Sequence, residues 1–252
     1  MLHFESRTNG AIMLPTAPLP TAQGLLGATG LKMFIHHENR IPTEAGAVLV
    51  VSNHRSFMDA PVLIQALRQP VRIACHHYMS KTPILREFIQ LLGCIPLESS
   101  GSRQQGFFEQ AKSLLQSHQW VGIFPEGASP MLNLTHPQEI QEFQRGFAHL
   151  ALKTAIPDLW VLPVAIGSIE ESLMPGFPVR LLSLFDPSEP LFERSGSHPV
   201  VVYQRINVLI GRPYRISALD RQRYHGKGAK EVVNQLSDYC RQEITDLLRL
   251  SF

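Results

Sequence analysis

The stretch A-V-L-V-V-S-N-H-R-S-F-M-D-A-P-V-L-I-Q-A-L, residues 47–67, decides the fold. Ala47–Val51 is an apolar run of strand length, and the polar Ser52–Asn53 closes it. Ala60–Leu67 then carries a helical pattern, with Pro61 near the helix start, where a missing amide costs nothing. A buried strand feeding a helix is the repeating unit of a parallel sheet covered on both faces.

Working outward, the same unit recurs. Further apolar runs lie at Val71–Cys75, Val121–Phe124, Trp160–Ile166 and Val200–Ile210, separated by helical patterns at Ile84–Leu92, Gly106–Gln116 and Phe143–Thr154. The fold class expected is α/β: a single domain with a mostly parallel central sheet flanked by helices. It is placed at residues 41–252, after a lead-in at 1–40. Residues 1 to about 20 are rich in Pro, Thr, Gly and Ala and are read as loosely ordered. Gly24–His37 is read as a helix weakened by three glycines, either an ordinary packing helix or a shallow membrane-contacting one. At the other end, Ala229–Leu250 sets Val232, Val233, Leu236, Tyr239, Cys240, Ile244, Leu247 and Leu248 at helical spacing, the stripe of a helix packed on a core. The basic run ahead of it, R-Q-R-Y-H-G-K-G-A-K, is either plain solvated surface or a contact for anionic headgroups.

Composition excludes several functions. The chain has 23 basic against 21 acidic residues, which offers no charge excess for nucleic-acid binding. Cys75, Cys94 and Cys240 form no C-x-x-C pair, so neither a disulfide framework nor a cysteine zinc site is expected, and a reducing cytoplasm is the simplest setting. No apolar run approaches the roughly 18 residues of a spanning helix, and the N-terminus does not read as a secretory signal. The chain carries no G-x-S-x-G elbow, P-loop or G-x-G-x-x-G. The pairs His36-His37 and His76-His77 have no metal-site motif beside them, and no metal is expected.

Two segments carry chemistry. In S-N-H-R-S-F-M-D, His54 and Asp59 stand five apart, a spacing no other histidine of the eleven shares. Residues five apart on one continuous helix face different ways, so the two meet only if His54 lies in the turn and Asp59 in the first helical turn. Ser56 and Asp59 have capping-box spacing, while Asp59 as N-cap would put Pro61 in the first turn; either description starts the helix here. An imidazole near neutrality can take a proton from a hydroxyl, and a carboxylate can fix its tautomer. The plainer alternative is a turn histidine beside a capping aspartate. The second segment, I-F-P-E-G at Ile123–Gly127, ends an apolar run with a carboxylate in a turn, at the sheet edge where open α/β folds bind ligands.

These segments resemble the blocks of the glycerolipid acyltransferase family, typified by 1-acylglycerol-3-phosphate acyltransferase. N-H-x-x-x-x-D matches Asn53–Asp59, G-x-I-P matches Gly93–Pro96, F-P-E-G matches Phe124–Gly127, and an apolar run around a proline matches Val161–Ile166. Arg145–Ala151 resembles the helix between the last two blocks. The likeness runs from about Ile41 to Arg215, with the blocks in order. It implies His54 as general base and Asp59 as its orienting partner. It also implies acceptor binding by Pro125, Glu126 and Gly127, with Pro96 shaping the site.

The same resemblance implies the reaction. A fatty acyl group passes from acyl-ACP or acyl-CoA, as co-substrate, to the free hydroxyl of lysophosphatidic acid, with no bound cofactor or metal. Its partners would be a membrane surface, an acyl carrier protein or coenzyme A thioester, and a lysolipid acceptor. Its place would be cytoplasmic, peripheral on the inner face of a membrane. Two positions depart from the family pattern: Ser99 and Ser129 stand where basic residues that hold the acceptor phosphate are expected. Arg103, Lys81 and Arg145 are the candidates to take over. The departures motivate an alternative acceptor, another lysolipid or an alcohol. A non-catalytic membrane-surface lipid-binding protein is the reading from a different class.

Overall fold

The structure, a computed structural model, describes residues 18–75, 79, 83–96, 103–127, 130, 135–174 and 200–251. Its order is α1 (Pro18–Thr29), β1 (Lys32–His36), a 3-10 turn (Glu38–Arg40), β2 (Ala47–Ser52), α2 (Asp59–Leu67), β3 (Arg72–Cys75), α3 (Pro83–Leu91), β4 (Ile95–Pro96), α4 (Arg103–Gln116), β5 (Val121–Ile123), α5 (Gly146–Lys153), β6 (Leu159–Met174), β7 (Val200–Ile210), β8 (Tyr214–Arg215), α6 (Ala218–His225) and α7 (Ala229–Leu250). The strands form one sheet in the order β1-β7-β6-β2-β5-β3-β4, with β8 added to β6. β2 runs parallel to both β5 and β6, and β3 parallel to β5 and β4; β7 is antiparallel to β6 and parallel to β1. The expected α/β class with a mostly parallel central sheet is therefore what forms.

β2 shows why. All six of its residues are buried. Ala47, Leu49 and Val51 join one core with α4, α5 and α7, while Val48 and Val50 join the other with α1 and α2. Alternate side chains of a strand point to opposite faces, so a strand with no polar position in that run needs cover on both sides. The stripe on α7 supplies part of that cover: Val232, Val233, Leu236, Cys240, Ile244, Leu247 and Leu248 are buried, with Tyr239 packed at the margin.

The N-terminal region departs from expectation. Helix formation over Gly24–His37 does not occur as read; the helix lies earlier, at Pro18–Thr29, and Lys32–His36 is an edge strand paired with β7. Gly30, at φ 68°, ends the helix in a backbone conformation that glycine adopts without strain. Ala22 and Leu26 enter the core against α2, so the fold reaches upstream of the boundary drawn at residue 40. A helix does form over part of the stretch, but Gly30 stops it and the edge of β7 draws Lys32–His36 into the sheet.

Two features of the sheet position the site. The helix after β2 packs on one face and the helix after β5 on the other, although β2 and β5 are neighbours. Such a divergence opens a crevice at the carboxyl ends of the two strands. Beyond Val164, where its pairing with β2 ends, β6 continues paired with β7 to Met174; β1 flanks β7 as far as Arg205, and Glu171–Met174 with Val200–Tyr203 runs on as a two-stranded ribbon. This ribbon meets the segment after β2 through the bond from Ser56 Oγ to the Val201 carbonyl. No helix among the described residues is long and apolar enough to cross a membrane.

Candidate active site

His54 lies in the turn after β2, and its ring donates from Nδ1 to Oδ2 of Asp59 at 2.8 Å. The pair that the spacing suggested is thus formed, with His54 in the turn and Asp59 in the first turn of α2. Asp59 is fully buried, whereas the His54 side chain keeps 16% exposure. Oδ2 also accepts the backbone N–H groups of Arg55 at 2.7 Å and Ser56 at 2.8 Å. Oδ1 accepts the hydroxyl of Tyr203 at 2.7 Å. A buried carboxylate is tolerable only when its lone pairs are met in this way. With the Nδ1 hydrogen given to Asp59, the neutral imidazole keeps Nε2 as a proton acceptor.

Neither capping description holds in full. α2 starts at Asp59 behind Met58, and Asp59 reaches back to the Ser56 amide, which is one half of a capping box. The other half is absent because Ser56 Oγ accepts from Met58 N at 3.1 Å and donates to the carbonyl of Val201 at 2.6 Å. The helix start is thereby bound to β7.

Asn53 shows why an amide precedes the histidine. Its Nδ2 donates to the carbonyl of Ile166 at 3.0 Å, and its Oδ1 accepts the amide of Ile166 at 2.8 Å. The side chain thus extends the β2–β6 ladder by one rung where the backbone turns away. Arg55, also buried, makes a bidentate pair with Glu171, Nε to Oε2 at 2.8 Å and Nη2 to Oε1 at 2.5 Å, and donates to the Thr135 carbonyl at 2.6 Å. Register shifts in β6 around Glu170 set Glu171 opposite Tyr203, a local irregularity of the kind that re-aims side chains beside functional sites.

The Phe124–Gly127 segment meets the same turn. The Phe124 ring stacks on the His54 ring with centroids 4.3 Å apart and an interplanar angle of 11°. Glu126 is buried; its Oε1 accepts the amide of His54 at 2.9 Å and its Oε2 the amide of Gln141 at 2.6 Å. Burial pushes the Glu126 carboxyl above the usual range, against the pull of those two amides. The Pro125 carbonyl accepts from Gln144 N at 2.8 Å, and Gly127 turns at φ 66°.

His54, Asp59, Pro125, Glu126 and Gly127 are therefore brought together. Arg145 lies exposed at the start of α5. Lys81, Ser99, Ser129 and the pair His76–His77 lie outside the described residues, as does the side chain of Arg103. No group of three or more metal-ligating side chains occurs among the described residues. Tyr203, Phe124 and the Arg55–Glu171 pair are the site residues that sequence reading missed. A tyrosine in the apolar run Val200–Ile210 was a usable signal, since a buried phenol needs a hydrogen-bond partner, but nothing in the run named Asp59.

Fold and site define an α/β protein with a histidine–aspartate pair at the carboxyl edge of a parallel sheet. Residues 32–167 match the family model described as Acyltransferase. The chain belongs to the acyltransferase family.

Among curated proteins it is 25% identical over 142 residues to a probable 1-acyl-sn-glycerol-3-phosphate acyltransferase of Mycoplasma pneumoniae, covering 54% of this chain and 50% of that protein. It is 28% identical over 146 residues to a protein of the same description from Mycoplasma genitalium, covering 56% and 51%. The chain thus matches about half the length of these relatives. Among solved structures, it resembles the crystal structure of the 1-acyl-sn-glycerophosphate (LPA) acyltransferase PlsC from Thermotoga maritima. That likeness has a TM-score of 0.57 at 16% identity, covering 92% of this chain and 77% of that one. It bears on the fold.

Proposed function

We propose that this protein transfers a fatty acyl group from an acyl thioester, acyl-ACP or acyl-CoA, to the free hydroxyl of lysophosphatidic acid in phospholipid synthesis. The observation that carries the proposal is the 2.8 Å bond from His54 Nδ1 to the buried Asp59, which leaves Nε2 to act as base. The relatives' descriptions as probable 1-acyl-sn-glycerol-3-phosphate acyltransferases support the acceptor.

In the proposed reaction Nε2 takes the hydroxyl proton as the oxygen attacks the thioester carbonyl carbon. The new C–O bond forms a tetrahedral intermediate, and the imidazolium is stabilised by Asp59. Collapse breaks the C–S bond, and the departing sulfur takes the proton back from His54. The ester, the free thiol and the neutral histidine account for every atom. Glu126 serves by holding the His54 backbone. The Pro125–Gly127 turn that it anchors is the side proposed to meet the acceptor, with Arg103 and Lys81 as partners for its phosphate. The protein is proposed to work at the cytoplasmic face of a membrane, where lysolipids reside.

Radiolabelled acyl transfer by the purified protein, from acyl-ACP and acyl-CoA to a panel of acceptors, tests this. Transfer to lysophosphatidic acid that disappears in His54→Ala is expected. Transfer only to another lysolipid or an alcohol would replace the acceptor, as Ser99 and Ser129 give reason to check. Full transfer by His54→Ala would end the mechanism. Flotation with anionic liposomes tests the membrane placement; protein left at the bottom of the gradient would refute it.

A further inference from the structure

Tyr203 stands 144 positions from Asp59, beyond the segment matched to the family, yet its hydroxyl donates to Oδ1 of that carboxylate at 2.7 Å. The side chain is buried, and burial followed by the nearby Asp59 charge pushes its phenol well above the usual range, so it remains a donor. The two oxygens of Asp59 are served unequally. Oδ2 takes His54 Nδ1, Arg55 N and Ser56 N, and Oδ1 takes the phenol. Those bonds to Oδ2 converge on one atom, and a carboxylate held at one atom still turns about it. The bond to Oδ1 removes that freedom and fixes the plane in which Oδ2 meets the imidazole.

The strand behind the phenol is tied to the same turn. Val201 accepts Ser56 Oγ at 2.6 Å, the Tyr203 amide lies 3.3 Å from Met58 Sδ, and Glu171, opposite Tyr203 in the ribbon, grips Arg55. Position 203 therefore cannot drift relative to Asp59 without breaking several bonds.

We infer that Tyr203 is a positioning residue for acyl transfer, acting through Asp59 to set the orientation and basicity of His54. The inference rests on the proposed acyl-transfer reading, and it assigns a function to a residue outside the four blocks. Removing the phenolic donor concentrates the carboxylate charge on the oxygen facing His54 and frees it to rotate, which alters proton transfer and leaves substrate contacts in place.

The test uses the full chain with Tyr203→Phe, which keeps the ring and deletes the donor, alongside His54→Ala. With the accepted acceptor, kcat is expected to fall about tenfold or more, while KM stays within about twofold, the size set by losing a hydrogen bond to a charged group. The downfield proton resonance of His54 Nδ1–H, identified by its loss in His54→Ala, is expected to move further downfield in Tyr203→Phe. Replacing Tyr203 by 3-fluorotyrosine, nearly the same size with a stronger donor, is expected to move it upfield, and this arm decides the matter if Tyr203→Phe does not fold. An unmoved resonance in the folded variants overturns the inference, whatever happens to activity. A kcat that falls only in step with a rising KM also overturns it. If His54→Ala keeps full transfer the acyl-transfer reading fails by itself, and the resonance still reports whether Tyr203 acts on His54 through Asp59.

Discussion

The backbone amide of His54 donates to the Glu126 carboxylate at 2.9 Å, so the main chain at the histidine is held by a side chain 72 positions away. The other Glu126 oxygen holds Gln141, and the Pro125 carbonyl holds Gln144. One buried carboxylate thus fastens three segments: the turn after β2, the turn after β5, and the approach to α5. Its requirement is for two acceptors with no donor, which is a property of a carboxylate and not of an amide.

Glu126→Gln is accordingly expected to be costly despite near-identical shape. Glutamine offers one acceptor and turns its NH2 toward an amide N–H, leaving that donor buried and unsatisfied. A loss of about 1–3 kcal/mol in stability is expected, with the His54 turn displaced and transfer reduced. Urea denaturation and the acyl-transfer assay on the same preparation check this; a variant as stable and active as the parent would contradict it.

Asp59→Asn is expected to act on the chemistry more than on the fold. The amide presents an NH2 toward at least one of the donors now bound, and it no longer selects the imidazole tautomer with a free Nε2. Transfer is expected to fall roughly a thousandfold or more, as when an orienting carboxylate is lost from a histidine pair. Steady-state kinetics beside far-UV circular dichroism separates the loss from unfolding.

Much of this arrangement was legible because it rests on local pattern. The all-apolar Ala47–Val51 run announced a strand buried on both faces, and β2 is the sheet's central parallel strand. The five-residue spacing announced the His54–Asp59 pair, since a turn followed by a helix start is enough to join them. What was not legible depends on distance in sequence. Tyr203 reaches Asp59 only because β6 outruns β2 and carries β7 beside the turn. Lys32–His36 is a strand only because the edge of β7 is there to pair with it. The resemblance implies acceptor binding by Glu126; that its carboxylate holds the amides of His54 and Gln141 is not legible, because amides converging from elsewhere in the chain leave no mark in F-P-E-G.

Asn53→Asp tests whether the side chain serves as a rung of the β2–β6 ladder. Aspartate keeps an acceptor for the Ile166 amide but sets negative charge against the Ile166 carbonyl, where Nδ2 now donates at 3.0 Å. A destabilisation of about 2–3 kcal/mol is expected, the cost of an unmet buried polar contact with added charge. The Ile166 amide keeps its bond and the Ile166 carbonyl loses one, so β6 just beyond Val164 should open more often. Faster hydrogen exchange along 165–168, with core strands unchanged, is the expected signature; uniform protection would refute it.

The Arg55–Glu171 pair gives a pH dependence of definite sign. Burial is the largest influence on Glu171 and disfavours its charge, but the bond and charge of Arg55, with Ser168 and His136 adding to them, together outweigh it and hold the carboxyl below its ordinary 4.5; the same bond holds the Arg55 guanidinium above its usual value. A carboxyl lowered on folding adds stability at pH above its unfolded range, and that stability drains away as the pH falls through its folded value. Glu171→Gln is therefore expected to cost about 2–4 kcal/mol near neutrality, since it leaves a buried guanidinium without its counter-charge. The gap between parent and variant should narrow steadily below the ordinary glutamate range, as acid neutralises Glu171 in the parent as well. Urea denaturation from neutral pH down to about 3 measures the gap in both proteins. A gap that widened on acidification would mean that the pair does not hold the ribbon to the His54 turn by charge.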